Sequence, residues 1–176
     1  MNIKSVLPFD TYTLVTFLKV PEVMGRLEAN VSPKKLSSML VVNRYGQKKD
    51  SSEKPYAGNI TGQQFEIVRV INYKNSFLPV VKGEVSHFLG QTEIRVKSSP
   101  HIAVLVFSGF WMLMVLLGCV IVTGVAIREG FEPALLIPFA MLIFGSLLFT
   151  VPYKIEAKKA KEFLVKLLDA TEVKVS

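Results

Sequence analysis

Between Ile102 and Ile127 the chain runs for 26 residues without a formal charge. After Arg128, Glu129 and Glu132 it does so again for 21 residues, from Pro133 to Tyr153. At about 1.5 Å per residue the first run would make a helix of about 39 Å, longer than the roughly 30 Å hydrocarbon core of a bilayer. Such a helix tilts, or projects a turn into the interface. Both runs are continuous rather than alternating, which excludes a spanning β-barrel built from them. The competing reading is a buried helical pair in a soluble protein. Core helices seldom reach this length without a charge, and a chain of 176 residues has little left to cover both. The expectation is a transmembrane hairpin over 102–153, with spans at 102–127 and 133–153 and a turn at Gly130.

Charge gives the hairpin a direction. Arg95 and Lys97 precede the first span, Lys154, Lys158, Lys159 and Lys161 follow the second, and the connecting loop has one Arg against two Glu. The positive-inside rule then predicts a multi-pass protein of the inner membrane with both termini cytoplasmic. The whole chain carries a net charge of +7, a balance that attracts nucleic acid or anionic lipid. Beside a membrane anchor, lipid is the simpler partner. The basic residues are also scattered, without the aromatic interleaving of a nucleic-acid surface. The N-terminus, Met-Asn-Ile-Lys-Ser-Val-Leu-Pro, lacks the apolar core and cleavage site of a signal peptide.

Inside the spans the polar residues are mild: Ser108, Thr123, Ser146 and Thr150, with Gly109, Gly118, Gly124 and Gly145. Small residues let helices approach closely, so these are expected to line the contact between the spans. No ionisable acid, base or histidine lies in either apolar core, which weighs against transport. Pro138 and Pro152 are expected to kink or end the second helix. The lone Cys119 excludes an internal disulfide.

Residues 1–101 read as a water-soluble domain of strands with one short helix. Tyr12–Val20 is rich in β-branched and aromatic residues. Pro21 to Glu28 opens with Pro and Glu as a helix does, and Val23 and Leu27 share a face at i, i+4. Leu36–Val42 reads as a further strand, and the polar stretch 46–55 as a loop whose Lys48, Lys49 and Lys54 could meet lipid head groups or simply be solvated. Tyr56–Ile60 and Phe65–Tyr73 flank a hairpin turn at Thr61–Gln64. Both faces of the second arm carry apolar residues, so it reads as a central strand. Arg69 on it needs a partner, for which Glu84 and Glu93 are the candidates. Val80–Phe88 turns through Leu89-Gly90-Gln91 into Thr92–Lys97, whose alternation suits a half-buried, edge-type strand.

The last segment, 154–176, contains an amphipathic helix over Ile155–Thr171. Ala160, Phe163, Leu164, Leu167 and Leu168 form its apolar stripe. That face suits packing on the sheet or lying on the membrane; the sheet is favoured because it otherwise lacks a covering layer. The expected class is α+β: an antiparallel sheet with a short N-terminal helix and a C-terminal amphipathic helix, interrupted by the hairpin.

The segment Phe65-Glu-Ile67-Val-Arg69-Val-Ile71-Asn-Tyr73-Lys-Asn75-Ser76-Phe77-Leu78-Pro79, followed by Gly83, resembles one found in small two-span membrane proteins of bacteria, notably cyanobacteria and Bacteroidetes. The likeness covers roughly residues 55 to 115, with Thr92–Ile94 and Trp111, and implies no activity. In architecture alone the chain also resembles bacterial membrane-anchored pleckstrin-homology-like domains. Arg69, Tyr73 and Asn75 form a candidate interaction surface, against the plainer reading of a shaped connection between strands.

No chemistry is written into the sequence. His87 and His101 stand far apart without metal-spaced companions, no nucleophile elbow is present, and Gly58, Gly62 and Gly83 are spaced as strand turns rather than as a phosphate loop. No cofactor and no small-molecule substrate is indicated. The chain is expected to be a membrane-anchored scaffold or accessory subunit, not an enzyme. It would bind another membrane protein, itself or lipid head groups. The alternative is an enzyme acting on a lipid at the interface through Arg69, His87 or His101, with transport ranked last.

Overall fold

β-Branched residues and period-two alternation over the first hundred residues build a single mixed sheet. The computed structural model describes residues 9–33, 54–71, 75, 77–130 and 132–173. Its strands are β1 (Asp10–Thr16), β2 (Val31–Pro33), β3 (Tyr56–Thr61), β4 (Gln64–Arg69), β5 (Pro79–Phe88), β6 (Gln91–Pro100) and β7 (Thr171–Val173), and its helices α1 (Val20–Asn30), α2 (Ile102–Glu129) and α3 (Ile137–Leu167). The strand order is β2-β3-β4-β5-β6-β1-β7. Every pairing is antiparallel except β2 with β3, which is parallel. The α+β class is therefore the observed one.

The two hairpin turns follow from local chemistry. Gly62 takes a φ of 59° between β3 and β4, where the turn is expected, and Leu89 and Gly90 both have positive φ between β5 and β6. Gly58 and Gly83 are not turn residues, contrary to their reading from spacing: each lies inside a strand. Gly83 is paired with Phe65, whose ring occupies the space a Cβ would need.

Thr92, Ile94 and Val96 are buried on one face of β6 while Arg95 and Lys97 are exposed on the other, as the alternation predicts. The strand is nevertheless not an edge. β1 returns from the N-terminus to pair along it from Asp10↔Ser98 to Thr16↔Thr92. Nothing in the alternation of one strand reports a neighbour so distant in sequence.

One face of the sheet carries the core. Tyr12, Leu14, Ile67, Val81, Val85, Ile94 and Val96 pack against Val23 and Leu27 of α1 and Ala160, Leu164 and Leu168 from the end of α3. Tyr56 stacks on Phe163 at 4.2 Å between ring centroids. Helix α3 ends in a Schellman-type closure, with Asp169 in the left-handed region and the Ala170 amide donating to the Val165 carbonyl. Two further carbonyls are capped from across the core: Thr16 Oγ1 donates to Leu168 O at 2.7 Å and Arg26 to Leu167 O at 3.0 Å, and Arg26 also pairs with the Asp169 carboxylate at 2.6 Å. The cation also suits the negative end of the helix dipole.

Two helical stretches, Ile102–Glu129 and Pro133–Leu167, each contain an 18-residue segment long and apolar enough to cross a membrane, with mean hydropathies of 2.5 and 2.4. Their apolar side chains are bare, as at Phe110 (63% exposed), Ile121 (66%) and Phe144 (67%). Pro133–Leu136 forms a 3-10 turn, and Pro138 opens α3 rather than kinking it. Pro152 lies inside α3 without ending it. The boundary drawn at Tyr153 between span and C-terminal helix thus falls within one unbroken helix of 31 residues.

The contact between α2 and α3 uses only some of the small residues. A side chain at Gly145 would meet Trp111, and one at Gly118 would meet Pro138 at 3.9 Å, whereas Gly109 and Gly124 face open space. Ser108, Thr123 and Ser146 each donate to a carbonyl of their own helix. That local bond satisfies a hydroxyl without a partner helix.

Candidate functional site

Two regions stand out: the junction where the sheet meets the apolar hairpin, and the sheet face turned away from the core. At the junction, β6 passes into α2 within one residue. His101 caps the helix, its Nδ1 accepting the Ala103 amide at 3.3 Å. From the other side Tyr153, only 1% exposed, reaches back to donate to Ser98 O at 2.9 Å, with Ser98 Oγ at 3.2 Å. One turn on, Glu156 is buried, its side chain 3% exposed. Arg69 donates to its Oε2 at 2.7 Å and Lys159 to its Oε1 at 2.8 Å.

This overturns the expected pairing of Arg69 with Glu84 or Glu93. Arg69 lies on the core face of β4, whereas Glu84 and Glu93 lie on the opposite face, and the partner comes from α3 instead. Burial pushes the nearby Tyr56 phenol up to about 12, with the Arg69 charge pulling the other way.

The loop before β5 also touches the hairpin. The Phe77 ring meets Phe149 of α3 edge-on at 5.7 Å, and Phe149 in turn meets Phe107 of α2 at 6.5 Å. Asn75 Oδ1 accepts the Phe77 amide at 2.9 Å, so this side chain shapes the loop, as the plainer reading had it. Of the proposed surface Arg69, Tyr73 and Asn75, Arg69 is engaged with α3, Asn75 with its own loop, and Tyr73 lies outside the described residues, as do Leu36–Val42, Lys48 and Lys49. Lys54, for which the sequence leaves both lipid contact and plain solvation open, donates to Glu28 O at 2.6 Å and Val31 O at 3.2 Å, closing the end of α1.

Among the described residues nothing covers the central rows of the second face of the sheet. Nearest the hairpin its cross-strand row is apolar, Ala57–Val68–Val80–Ser99, and Val68 is buried with Ile71 and Leu78. The next row is Asn59–Glu66–Lys82–Lys97–Thr11, and the one beyond is Thr61–Gln64–Glu84–Arg95–Thr13. These two charged rows line a groove of about 540 Å³. Lys82 pairs with Glu66 at 3.0 Å and Arg95 with Glu93 at 2.8 Å.

No family model and no curated protein matches the chain.

The basic residues expected to flank the membrane divide between the two regions. Lys154, Lys158 and Lys159 are exposed on α3 just beyond Tyr153, while Arg95 and Lys97 are exposed in the groove. The histidines are held apart. His87 sits opposite Thr92 at the far end of the β5–β6 hairpin and His101 follows Pro100 at the near end, about 30 Å away at strand rise. His87 is therefore held away from Arg69 and His101, which lie at the same end of the sheet. Among the described residues no three His, Cys, Asp or Glu come together to hold a metal ion. The groove was missed by sequence reasoning, although the alternation of Glu93, Arg95 and Lys97 pointed to a solvated face; its shape depends on five strands in register.

Proposed function

We propose that this chain is an integral membrane protein, with α2 and the first part of α3 crossing the bilayer and the sheet domain serving as a scaffold or accessory subunit at the surface. The observation that carries the reading is the naked hairpin joined rigidly to a folded, charged domain. Soluble monomers rarely expose apolar patches beyond a few hundred Å², whereas here two long helices are bare on nearly all sides. Hydrocarbon is the medium that such a surface suits.

The same proposal places both termini in the cytoplasm of the inner membrane, since Lys154, Lys158 and Lys159 lie where α3 leaves its apolar stretch. It includes the kinship with two-span bacterial membrane proteins suggested by the Phe65–Pro79 segment. Binding rather than catalysis is the role: among the described residues the second face of the sheet offers a broad uncovered polar surface, and His87 lies far from Arg69 and His101. The expected ligands of the domain are a protein partner or lipid head groups.

Fractionation of lysed cells tests the anchor: the full-length chain should pellet with membranes and be released by detergent, not by high salt. A compact species in the supernatant without detergent overturns the reading. Reporter fusions at Lys49 and Ser176 should both report the cytoplasm. Extraction in mild detergent should bring down a stoichiometric partner, and a monodisperse monomer without companions would count against the scaffold role.

A further inference from the structure

We propose that the groove on the open face of the sheet binds the head group of an anionic phospholipid, with Lys97 and Lys82 as the anion-holding residues. This rests on the membrane reading above and gives it a site. Lys82 and Lys97 stand directly opposite one another across β5 and β6. In an antiparallel pair that spacing brings Cβ atoms to about 5 Å, and like charges there are unfavourable. Glu66 answers Lys82. Lys97 has no acidic partner among the described residues, and its other cross-strand neighbour is the hydroxyl of Thr11. The groove lining carries Lys82, Arg95 and Lys97 against Glu66 and Glu84, and Arg95 is answered by Glu93 on the same face, so the charges balance and Lys97 is the cation left without an acidic partner among the described residues. An anion between the two lysines turns a repulsion into a bridge.

Position selects the source of that anion. Lys97 lies four positions before His101, the cap of α2, about 13 Å along the strand. The polar zone of a bilayer is about 5–8 Å deep on each side, and a lysine stem lying back along the sheet carries its ammonium toward it. Between groove and hairpin lies the apolar row with Val68 and Val80, and beyond it Phe77 against Phe149. A facing pair of lysines above an apolar ledge matches an amphiphile entered from the membrane side better than a ligand arriving from bulk water.

The test uses the full chain in mild detergent, with native mass spectrometry of retained phosphatidylglycerol against phosphatidylcholine. The wild type should favour phosphatidylglycerol. Lys97→Gln should weaken retention about fivefold and Lys82→Gln/Lys97→Gln by the product of two such steps, from about 1 kcal/mol per lysine near an anionic surface. Lys166→Gln, at the far end of α3, should leave it unchanged. Unaltered melting of each variant shows that folding is intact, and Lys97→Met, which keeps the aliphatic stem, serves if Lys97→Gln does not fold. No preference in the wild type, or the same preference in the double variant, overturns the assignment. So does competition by inorganic phosphate at concentrations matching the lipid, which marks a free-anion site, or lysine-dependent binding of poly-glutamate, which marks an acidic protein segment. A chain that pellets with membranes yet shows no preference sinks this site alone; one that is soluble without detergent sinks the anchor as well.

Discussion

At the scale of single residues, the described core holds a buried hydroxyl without a hydrogen-bond partner among the described residues. It belongs to Tyr12, which is buried between β1 and α3, while Lys161 lies over its ring at 4.8 Å. An unmet buried hydroxyl costs about 1–3 kcal/mol. Tyr12→Phe should therefore stabilise the domain by about 1 kcal/mol, seen as a rise in the melting temperature of the detergent-solubilised protein; a fall would show that the hydroxyl has a partner. Arg69 is the opposite case. Removing it takes a cation from a carboxylate that is almost wholly buried, and breaking a buried pair is strongly unfavourable. Arg69→Ala should cost about 2 kcal/mol after allowance for Arg69's own partial exposure. Protease cleavage near the junction should rise with it, and a melting temperature equal to wild type would remove the pair from the account. The sequence announced that Arg69 needed a counter-charge, because an arginine within an apolar strand always does. It could not say which, since the carboxylate lies 87 positions along the chain.

At the scale of elements, the β5–β6 turn is where local sequence and local backbone disagree. Leu89 occupies the left-handed region beside Gly90, and its side chain is exposed, so no burial offsets the conformation. A two-residue turn with both φ positive favours Asn-Gly. Leu89→Asn should stabilise by about 1 kcal/mol, measured as a shift in thermal or denaturant midpoint, and a loss instead would mean that the leucine makes contacts of its own. Hairpins of this kind were legible because turn chemistry and alternation are local. The insertion of β1 between β6 and β7 was not, nor was the continuity of α3. Lys154 to Lys161 changes the polarity of the chain abruptly, but its lysines, alanines and glutamates are good helix formers. Pro152 removes one backbone donor without supplying a reason to stop. A boundary in hydropathy was thus read as a boundary in backbone.

For the molecule as a whole, pH should act through the buried phenols. Burial raises Tyr56 to about 12 and Tyr12 further still, against an ordinary value near 10. A folded-state value above the unfolded one contributes stability that is complete below pH 10 and drains away as pH rises through the folded values. Melting temperature should hold level from pH 8 to about 9.5 and drop above pH 10. The drop should be shallower in Tyr56→Phe or Tyr12→Phe. An equal slope in all three would place the alkaline sensitivity elsewhere. The fold class and the hairpin were readable from hydropathy and period because both express burial along the chain; the groove was not, because it exists only where β1, β3, β4, β5 and β6 lie side by side.

An unbroken α3 also makes the molecule a lever. Its stretch from Tyr153 to Leu167 extends about 21 Å past the apolar segment, and it is clamped to the sheet at both ends, by Tyr153 on Ser98 and by Thr16 and Arg26 on its last carbonyls. With no joint to absorb the motion, a change of about 10° in helix tilt, well within the range that bilayer thickness imposes, swings the far end of the domain by about 4 Å. In the proposed membrane placement, the thickness of the surrounding lipid would set the height and angle of the charged sheet face.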